Sequence, residues 1–189
     1  MNNRAVFLDR DGTLNEDRPD YIKNLAEYQL FPFTLAALRR LRELGFKLIV
    51  ITNQAAIARK LTTTAEVEQI HAWLIQQTRQ AGAGLDAIYY CPHHPDDHCD
   101  CRKPAIGHLR RAIADFAVDV RRSFFIGDSL KDIEAGARAG CRTILVCSGY
   151  RQYDESEIRQ QPFRPDQVCA DLAAAADWIA GLPNLEERR

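Results

Sequence analysis

The sequence lacks the features that mark membrane proteins and nucleic-acid binders. None of its apolar runs approaches the ~20 residues that span a bilayer. Neither sign of charge is in excess, because 25 basic residues face 26 acidic ones and leave a net charge of −1; this excludes a strongly basic nucleic-acid-binding domain. Only four apolar residues separate Arg4 from Asp9, so we expect no signal peptide. These absences predict a cytoplasmic protein that binds neither membranes nor nucleic acid.

Internal repeats and low-complexity linkers are also missing. A length of 189 residues suits one domain. Apolar residues make up 46% of the chain and charged residues 27%, which is typical of soluble globular proteins and not of disordered ones. We therefore predict a single domain over residues 1–189 that acts as a monomer, with a charged tail over about 183–189.

Short apolar segments alternate with helical patterns along the chain. Five segments are too short or too β-branched for helices and are predicted as strands: 5–8, 46–51, 87–90, 123–126 and 143–147. Helices are predicted between them, one of them beginning at Pro104, and the polar segment 148–165 is predicted to be a surface loop. This alternation indicates an α/β fold, a doubly wound Rossmann-like parallel sheet of about five strands with helices on both faces. Such sheets bind ligands at the carboxyl ends of their strands.

Acidic and hydroxyl side chains stand at three of these strand ends. Asp9 and Asp11 follow the first strand, Thr52 the second and Asp128 the fourth, and Lys103 precedes a helix. Two carboxylates two residues apart on an extended chain point the same way, and they repel each other unless a cation lies between them. Mg²⁺ binds through one or two carboxylates together with substrate phosphate oxygens. An isolated Asp-x-Asp is more often a solvated turn, but its occurrence with the other residues predicts phosphoryl transfer with an aspartate as nucleophile.

These residues resemble the signature motifs of the haloacid dehalogenase (HAD) superfamily. The resemblance spans residues 5–147 and rests on Asp9-Arg10-Asp11-Gly12-Thr13, Thr52, Lys103, and Gly127-Asp128 with Asp132. It implies that Asp9 is the nucleophile and that Asp11 protonates the leaving oxygen and then deprotonates the hydrolytic water. Superfamily members usually carry an inserted cap domain. Here residues 14–33 are too few for one, so we expect no cap and an open site.

The same resemblance assigns the phosphate and metal contacts. It implies that Thr52 and Lys103 hold the phosphoryl group. It also implies that Asp9, Asp128 and the backbone carbonyl of Asp11 bind Mg²⁺. Asp132 either binds the metal through water or orients Lys103, and a plain helix N-terminal carboxylate is the remaining alternative.

Three of the six cysteines lie within eleven residues, which predicts a second metal site. Cys91, Cys99 and Cys101 offer three thiolates, and in a protein without export signals such a cluster favours metal binding over disulfides. We expect His93 to complete a tetrahedral structural zinc site, with His94 and His98 as alternatives. The loop 91–101 would then hold Arg102 and Lys103 towards the site. The other cysteines, predicted to be small core residues, are Cys141, Cys147 and Cys169.

The cysteine loop resembles the zinc-loop branch of the HAD superfamily. This resemblance rests on residues 89–95 and 99–104, and the branch includes heptose-1,7-bisphosphate 7-phosphatases and histidinol-phosphate phosphatases. Residues 52–54 with 57–59 favour the heptose enzymes, which implies a small sugar phosphate substrate from lipopolysaccharide precursor synthesis. The substrate contacts that it implies are Asp17, Asn53, Gln54, Arg102 and Ser129. A histidinol-phosphate phosphatase and a non-catalytic, zinc-stabilised module that binds phosphorylated ligands remain alternatives.

Overall fold

A computed structural model describes residues 3–183, so most of the predicted charged tail lies outside the described residues. Six parallel strands form one sheet in the order β3-β2-β1-β4-β5-β6. The strands are β1 Ala5–Leu8, β2 Lys47–Asn53, β3 Ala87–Cys91, β4 Phe124–Gly127, β5 Arg142–Val146 and β6 Gln167–Cys169. The helices are α1 Thr34–Glu43, α2 Thr64–Gln80, α3 Gly107–Phe116, α4 Leu130–Ala139, α5 Glu155–Arg159 and α6 Leu172–Ala180.

Helices cover both faces of the sheet, and β1 at its centre contributes to two apolar clusters. Val6 and Leu8 pack into the cluster that includes buried residues of α1, α2 and α6, whereas Ala5 and Phe7 pack into the cluster that includes α3 and α4. All four side chains are fully buried. This is why β1 is apolar at every position instead of at alternate ones. The predicted doubly wound fold is confirmed.

The prediction of about five strands and of a plain loop over residues 148–165 needs two corrections. A sixth strand, β6, pairs with β5, but it has only three residues and two of its side chains are not buried. The predicted loop contains the short helix α5, which begins at a capping box between Asp154 and Glu157 and buries no side chain. Both elements lack the apolar periodicity on which sequence-based assignment depends.

Two smaller predictions were also wrong. The helix expected from Pro104 begins at Gly107, because residues 102–105 form a turn in which the Ala105 N–H donates to the Arg102 carbonyl. Cys147 is exposed and not part of the core, since it lies just beyond the end of β5, whereas Cys141 and Cys169 are buried as predicted. Within residues 3–183, no helix has both the length and the apolar character needed to cross a bilayer.

Candidate active site

The sheet order brings three predicted site residues to one edge. β1 lies between β2 and β4, so Asp9 and Asp128, which follow β1 and β4, lie at the same edge as Thr52 near the carboxyl end of β2. Gly12 has a φ of 79° in the turn after β1, and a Cβ atom at this position would overlap the Asp128 carboxylate. Glycine therefore allows the backbone of this turn to approach the end of β4.

Lys103 lies in the middle of this edge and binds two of its carboxylates. Its Nζ atom is 2.8 Å from Asp9 Oδ1 and 2.7 Å from Asp132 Oδ1, and it donates to the Ile51 carbonyl at 2.7 Å. The side chain is 2% exposed. Burial alone would lower the pKa of Lys103, but the charges of Asp132 and Asp9 raise it above its ordinary value. The lysine is thus held as a cation next to Asp9.

Asn53 fixes the backbone of Lys103. Its Oδ1 atom accepts the Lys103 N–H at 3.0 Å, and its Nδ2 atom donates to the Lys103 carbonyl at 3.2 Å. Both ends of the amide are engaged in this way, so Asn53 positions the Lys103 backbone, and its contact with substrate stays a prediction.

Three carboxylates meet closely enough to share a cation. One oxygen each from Asp9, Asp128 and Asp132 lies within 4.8 Å of the others. Among the described residues, no hydrogen-bond donor reaches the Asp128 carboxylate, which is 8% exposed. Burial, followed by the charges of Asp9 and Asp132, raises the pKa of Asp128 to about 9. Within the described residues, Asp128 is thus a buried carboxylate that accepts no hydrogen bond and lies next to two other carboxylates. Together the three carboxylates offer oxygen ligands of the kind that Mg²⁺ binds.

Asp132 is the least suited of the three to bind a metal directly. Its Oδ1 atom contacts Lys103, and its Oδ2 atom accepts both the N–H and the hydroxyl of Ser129 at 3.0 and 2.8 Å. Its side chain is fully buried. Of the alternatives considered for Asp132, this geometry favours orientation of Lys103. It also engages the hydroxyl of Ser129, which was predicted to contact substrate.

The Asp11 carboxylate points to a different group of residues. It accepts Nε and Nη2 of Arg10 at 3.0 and 2.9 Å, Nδ2 of Asn15 at 2.9 Å and Nε2 of Gln54 at 2.8 Å. Burial would raise the pKa of Asp11, but the adjacent Arg10 and these donors hold it below its ordinary value. Its side chain is therefore not among the clustered carboxylates, and only its backbone carbonyl remains as the predicted metal ligand.

Arg10 and His71 are site residues that the sequence analysis missed. Arg10 has a completely buried side chain, and His71 is 6% exposed. Nη1 of Arg10 is 3.1 Å from Nε2 of His71, and its guanidinium lies over the ring of Tyr28 at 5.4 Å. The only signal in the sequence was an arginine between two aspartates, which also suits an exposed ion pair.

The remaining predicted substrate contacts differ in their freedom to bind a ligand. Gln54 is 4% exposed, and its amide is engaged with Arg10, Asp11 and Thr52, so the structure makes it a positioning residue as well. Asp17 is half-buried, and burial, followed by the charge of Asp11, raises its pKa. Arg102 lines a groove of about 380 Å³ that Lys103, Lys131 and Arg138 also line.

The cysteine loop gathers four potential metal ligands. His93 Nδ1 is 3.5 Å from Cys91 Sγ and 3.2 Å from Cys101 Sγ, and Cys99 Sγ is 3.5 and 3.4 Å from these two sulfur atoms. Zn–S bonds of about 2.3 Å in a tetrahedron put sulfur atoms about 3.8 Å apart, close to this spacing. The alternatives His94 and His98 lie outside the cluster, and the His94 side chain instead caps the 3-10 turn Pro95–Asp97.

Comparisons with known proteins identify the relatives of this chain. A family model described as HAD-hydrolase-like matches residues 100–175. The D-glycero-D-manno-heptose-1,7-bisphosphate 7-phosphatase of Chlorobaculum tepidum is 40% identical over 193 residues, covering 95% of this chain and 96% of its own length. The D-glycero-beta-D-manno-heptose-1,7-bisphosphate 7-phosphatase of Pseudomonas aeruginosa is 42% identical over 149 residues, covering 79% and 84%.

A solved structure is similar over almost its whole length. The D,D-heptose 1,7-bisphosphate phosphatase of B. bronchiseptica, crystallised with magnesium and phosphate, has a TM-score of 0.84 and 37% identity, covering 94% of this chain and 98% of its own. Fold, site and matches together define a phosphoric monoester hydrolase of the HAD-like class, as the motifs predicted. Within that class, the chain belongs to the heptose-1,7-bisphosphate 7-phosphatase family.

Proposed function

We propose that the protein removes the 7-phosphate of D-glycero-D-manno-heptose 1,7-bisphosphate in a Mg²⁺-dependent reaction. The observation that carries this proposal is the position of Asp9, which contacts the Lys103 ammonium at 2.8 Å and lies within 4.8 Å of a carboxylate oxygen of Asp128. A nucleophile in that place has both a cation and a proposed metal ligand close by, as attack on a charged phosphate requires. The relatives whose names specify this substrate support the choice of sugar.

In the first step, a carboxylate oxygen of Asp9 attacks phosphorus, and the bond from phosphorus to the sugar oxygen breaks. Because Arg10 lowers the pKa of Asp11, the Asp11 carboxylate has to bind a proton from solvent before this step. It then donates that proton to the leaving oxygen, so the sugar leaves as an alcohol and an aspartyl-phosphate remains. The Lys103 ammonium and the Thr52 hydroxyl hold the phosphoryl oxygens. The proposed Mg²⁺ ligands are Asp9, Asp128 and the backbone carbonyl of Asp11, and the bound ion supplies neutralisation of the phosphate charge.

In the second step, Asp11 takes a proton from a water molecule that attacks the aspartyl-phosphate. The bond between phosphorus and the Asp9 oxygen breaks, which releases inorganic phosphate and restores both side chains. Asp11 thus has to alternate between acid and base. Asp132 and Asn53 keep Lys103 in place throughout, since one binds its ammonium and the other its backbone.

We also assign the loop 91–101 as a structural zinc site. The proposed ligands are Cys91, His93, Cys99 and Cys101, and four protein ligands leave no position for substrate. Because Arg102 and Lys103 follow Cys101 directly, a rigid loop fixes where Lys103 enters the active site. Zinc in this protein would therefore act on catalysis only through the position of the chain.

The second phosphate of the substrate would bind beside the reaction centre. The groove lined by Arg102 also carries Lys131 and Arg138, so it presents positive charge next to Lys103. An anionic group there fits a sugar bisphosphate better than a compound with a single phosphate. We place the enzyme in the cytoplasm, as a monomer in the synthesis of lipopolysaccharide precursors.

Phosphate release tests this function. Purified protein with Mg²⁺ is expected to release one phosphate from heptose 1,7-bisphosphate, with kcat/KM well above that for histidinol phosphate. Asp9→Asn should abolish turnover, and Asp177→Asn, which changes an exposed acid on α6, should retain it. A higher kcat/KM for histidinol phosphate than for heptose 1,7-bisphosphate would contradict the proposed substrate. Turnover by Asp9→Asn would contradict the assignment of Asp9 as the nucleophile. If the protein released no phosphate from any phosphomonoester, the non-catalytic alternative would be favoured.

A further inference from the structure

Behind the active site lies a buried chain of polar groups that starts on helix α2. His71 of α2 contacts Arg10, and Arg10 binds both oxygens of Asp11. Arg10 is fully buried and His71 is 6% exposed. Nη2 of Arg10 also donates to Gln54, so four of the five N–H groups of the guanidinium make hydrogen bonds.

The chemistry of arginine determines the state of His71. A guanidinium only donates hydrogen bonds, so Nε2 of His71 has to be the acceptor, and a neutral ring must carry its proton on Nδ1. Burial, followed by the positive charge of Arg10, lowers the pKa of His71 to about 3, which agrees with a neutral ring. His71 therefore accepts a hydrogen bond from Arg10 over the whole working range of pH.

We propose that His71 is a positioning residue which, through Arg10, fixes the orientation of the Asp11 carboxyl for proton transfer. The inference rests on the proposed function, in which Asp11 is the acid and base. Asp11 lies on a turn and is held from the side by Arg10, so the angle of its carboxyl follows the plane of the guanidinium. That plane has three anchors: Asp11 itself, Gln54 and His71.

Loss of the third anchor should harm proton transfer more than binding. Without His71, Nη1 of the buried guanidinium has no hydrogen-bond acceptor. An unsatisfied buried donor costs free energy, so the guanidinium should rotate towards another acceptor. A rotated guanidinium withdraws its two donors from the Asp11 carboxyl, which is then held only by Asn15 and Gln54 and shifts from its position. Misplacement of a reacting group by about 1 Å can cost on the order of 100-fold in rate.

The experiment compares two leaving groups in two His71 variants. His71→Leu removes the acceptor, whereas His71→Gln keeps a neutral acceptor of similar size. An alkyl phosphate needs its leaving oxygen protonated, whereas p-nitrophenyl phosphate needs little protonation. For His71→Leu we expect kcat/KM to fall about 10- to 100-fold on heptose 1,7-bisphosphate and less than about 3-fold on p-nitrophenyl phosphate, with little change in KM. His71→Gln should stay within about 3-fold of wild type on both.

Equal losses on both substrates, or no loss on either, would overturn the proposal, as would a His71→Gln variant as impaired as His71→Leu. If wild type hydrolyses some other alkyl phosphate and not the heptose compound, the proposed substrate fails, and the comparison is made with that alkyl phosphate. If His71→Leu does not fold, nitrogen NMR of the wild-type protein at pH 7 still decides. The expected tautomer has Nδ1 protonated and Nε2 bare, and protonated Nε2 would contradict the proposal.

Discussion

The buried contact between neutral His71 and the Arg10 guanidinium makes the stability of the fold depend on pH. The pKa of His71 is about 3 in the folded protein, below its ordinary value of 6.5. The unfolded chain therefore binds a proton first as the pH falls, so the stability contributed by neutral His71 is present above pH 6.5 and is lost below it.

This sign gives a measurable prediction. Between pH 8 and pH 5, the free energy of unfolding should fall by about 2 kcal/mol more in wild type than in His71→Gln, which has no group to titrate at this position. Urea denaturation at each pH gives the free energy of unfolding of both proteins. Subtracting the value for His71→Gln from that for wild type removes the contributions of other titrating groups. Parallel pH dependences in the two proteins would mean that His71 is solvated or already charged.

Gly149 is a second residue whose identity matters to the site. A Cβ atom on Gly149 would overlap the carboxylate of Asp128, and the neighbouring Ser148 hydroxyl donates to the Gly12 carbonyl at 2.7 Å. This loop therefore lies directly against the proposed metal ligand. Gly149→Ala should displace Asp128 and weaken Mg²⁺ binding about 10- to 100-fold in calorimetric titration. The control Gly84→Ala meets no atom closer than 3.9 Å and should bind Mg²⁺ as wild type does.

Single residues also show how far sequence reasoning reaches into the site. Asp9, Thr52 and Asp128 could be placed together because each follows a strand of a parallel sheet. His71 could not be assigned to the site from the sequence. It lies within helix α2, 61 positions from Arg10, and nothing in the helical pattern indicates a polar partner. The motif at residues 52–54 singles out Asn53 and Gln54, but their hydrogen bonds to Lys103 and Asp11 depend on side-chain geometry that no spacing shows.

At the scale of elements, the loop 91–101 connects β3 to the residues that enter the active site. Cys99→Ser should lose the bound zinc, lower Tm by more than about 5 °C and reduce kcat about 10-fold or more, because Lys103 loses its fixed entry. Cys147→Ser, which changes an exposed cysteine outside the cluster, is the matched control and should leave all three unchanged. Metal analysis, thermal unfolding and steady-state kinetics measure these effects. A Cys99→Ser protein with full activity would separate the loop from catalysis.

The elements that the sequence did not reveal are those with little apolar surface. β6 is a three-residue strand at the sheet edge, and it is held partly by the Asp166 carboxylate, which accepts the Thr143 N–H at 2.7 Å. Helix α5 is held at its start by the Asp154–Glu157 capping box. Both depend on local polar contacts, whereas β1 and β2 could be predicted because β1 is buried and apolar throughout and β2 has a buried apolar run over residues 48–51.

At the scale of the whole molecule, the sheet that builds the site also concentrates like charges. Neighbouring strands β1 and β4 place Asp9 and Asp128 at one edge, and α4 adds Asp132, with Lys103 as the cation between two of them. Burial, together with repulsion between the carboxylates and against the opposing charge of Lys103, raises the pKa of Asp9 to about 7 and that of Asp128 to about 9. Raised carboxyl pKa values mean that ionising these groups at neutral pH costs folding free energy. The fold therefore gives up stability to assemble a cation site.

Removal of one of these charges should stabilise the Mg²⁺-free protein while destroying the site. The measurement is made at pH 8 in Mg²⁺-free buffer without a strong chelator, so that zinc stays bound. Under these conditions the free energy of unfolding of Asp128→Asn should be about 1–3 kcal/mol higher than that of wild type. Added Mg²⁺ at about 100 times its Kd should stabilise wild type by about 2.7 kcal/mol and leave Asp128→Asn unchanged. Asp177→Asn should match wild type in both buffers. An Asp128→Asn protein less stable than wild type without Mg²⁺ would show that this carboxylate supports the fold and that the charge cluster carries no strain.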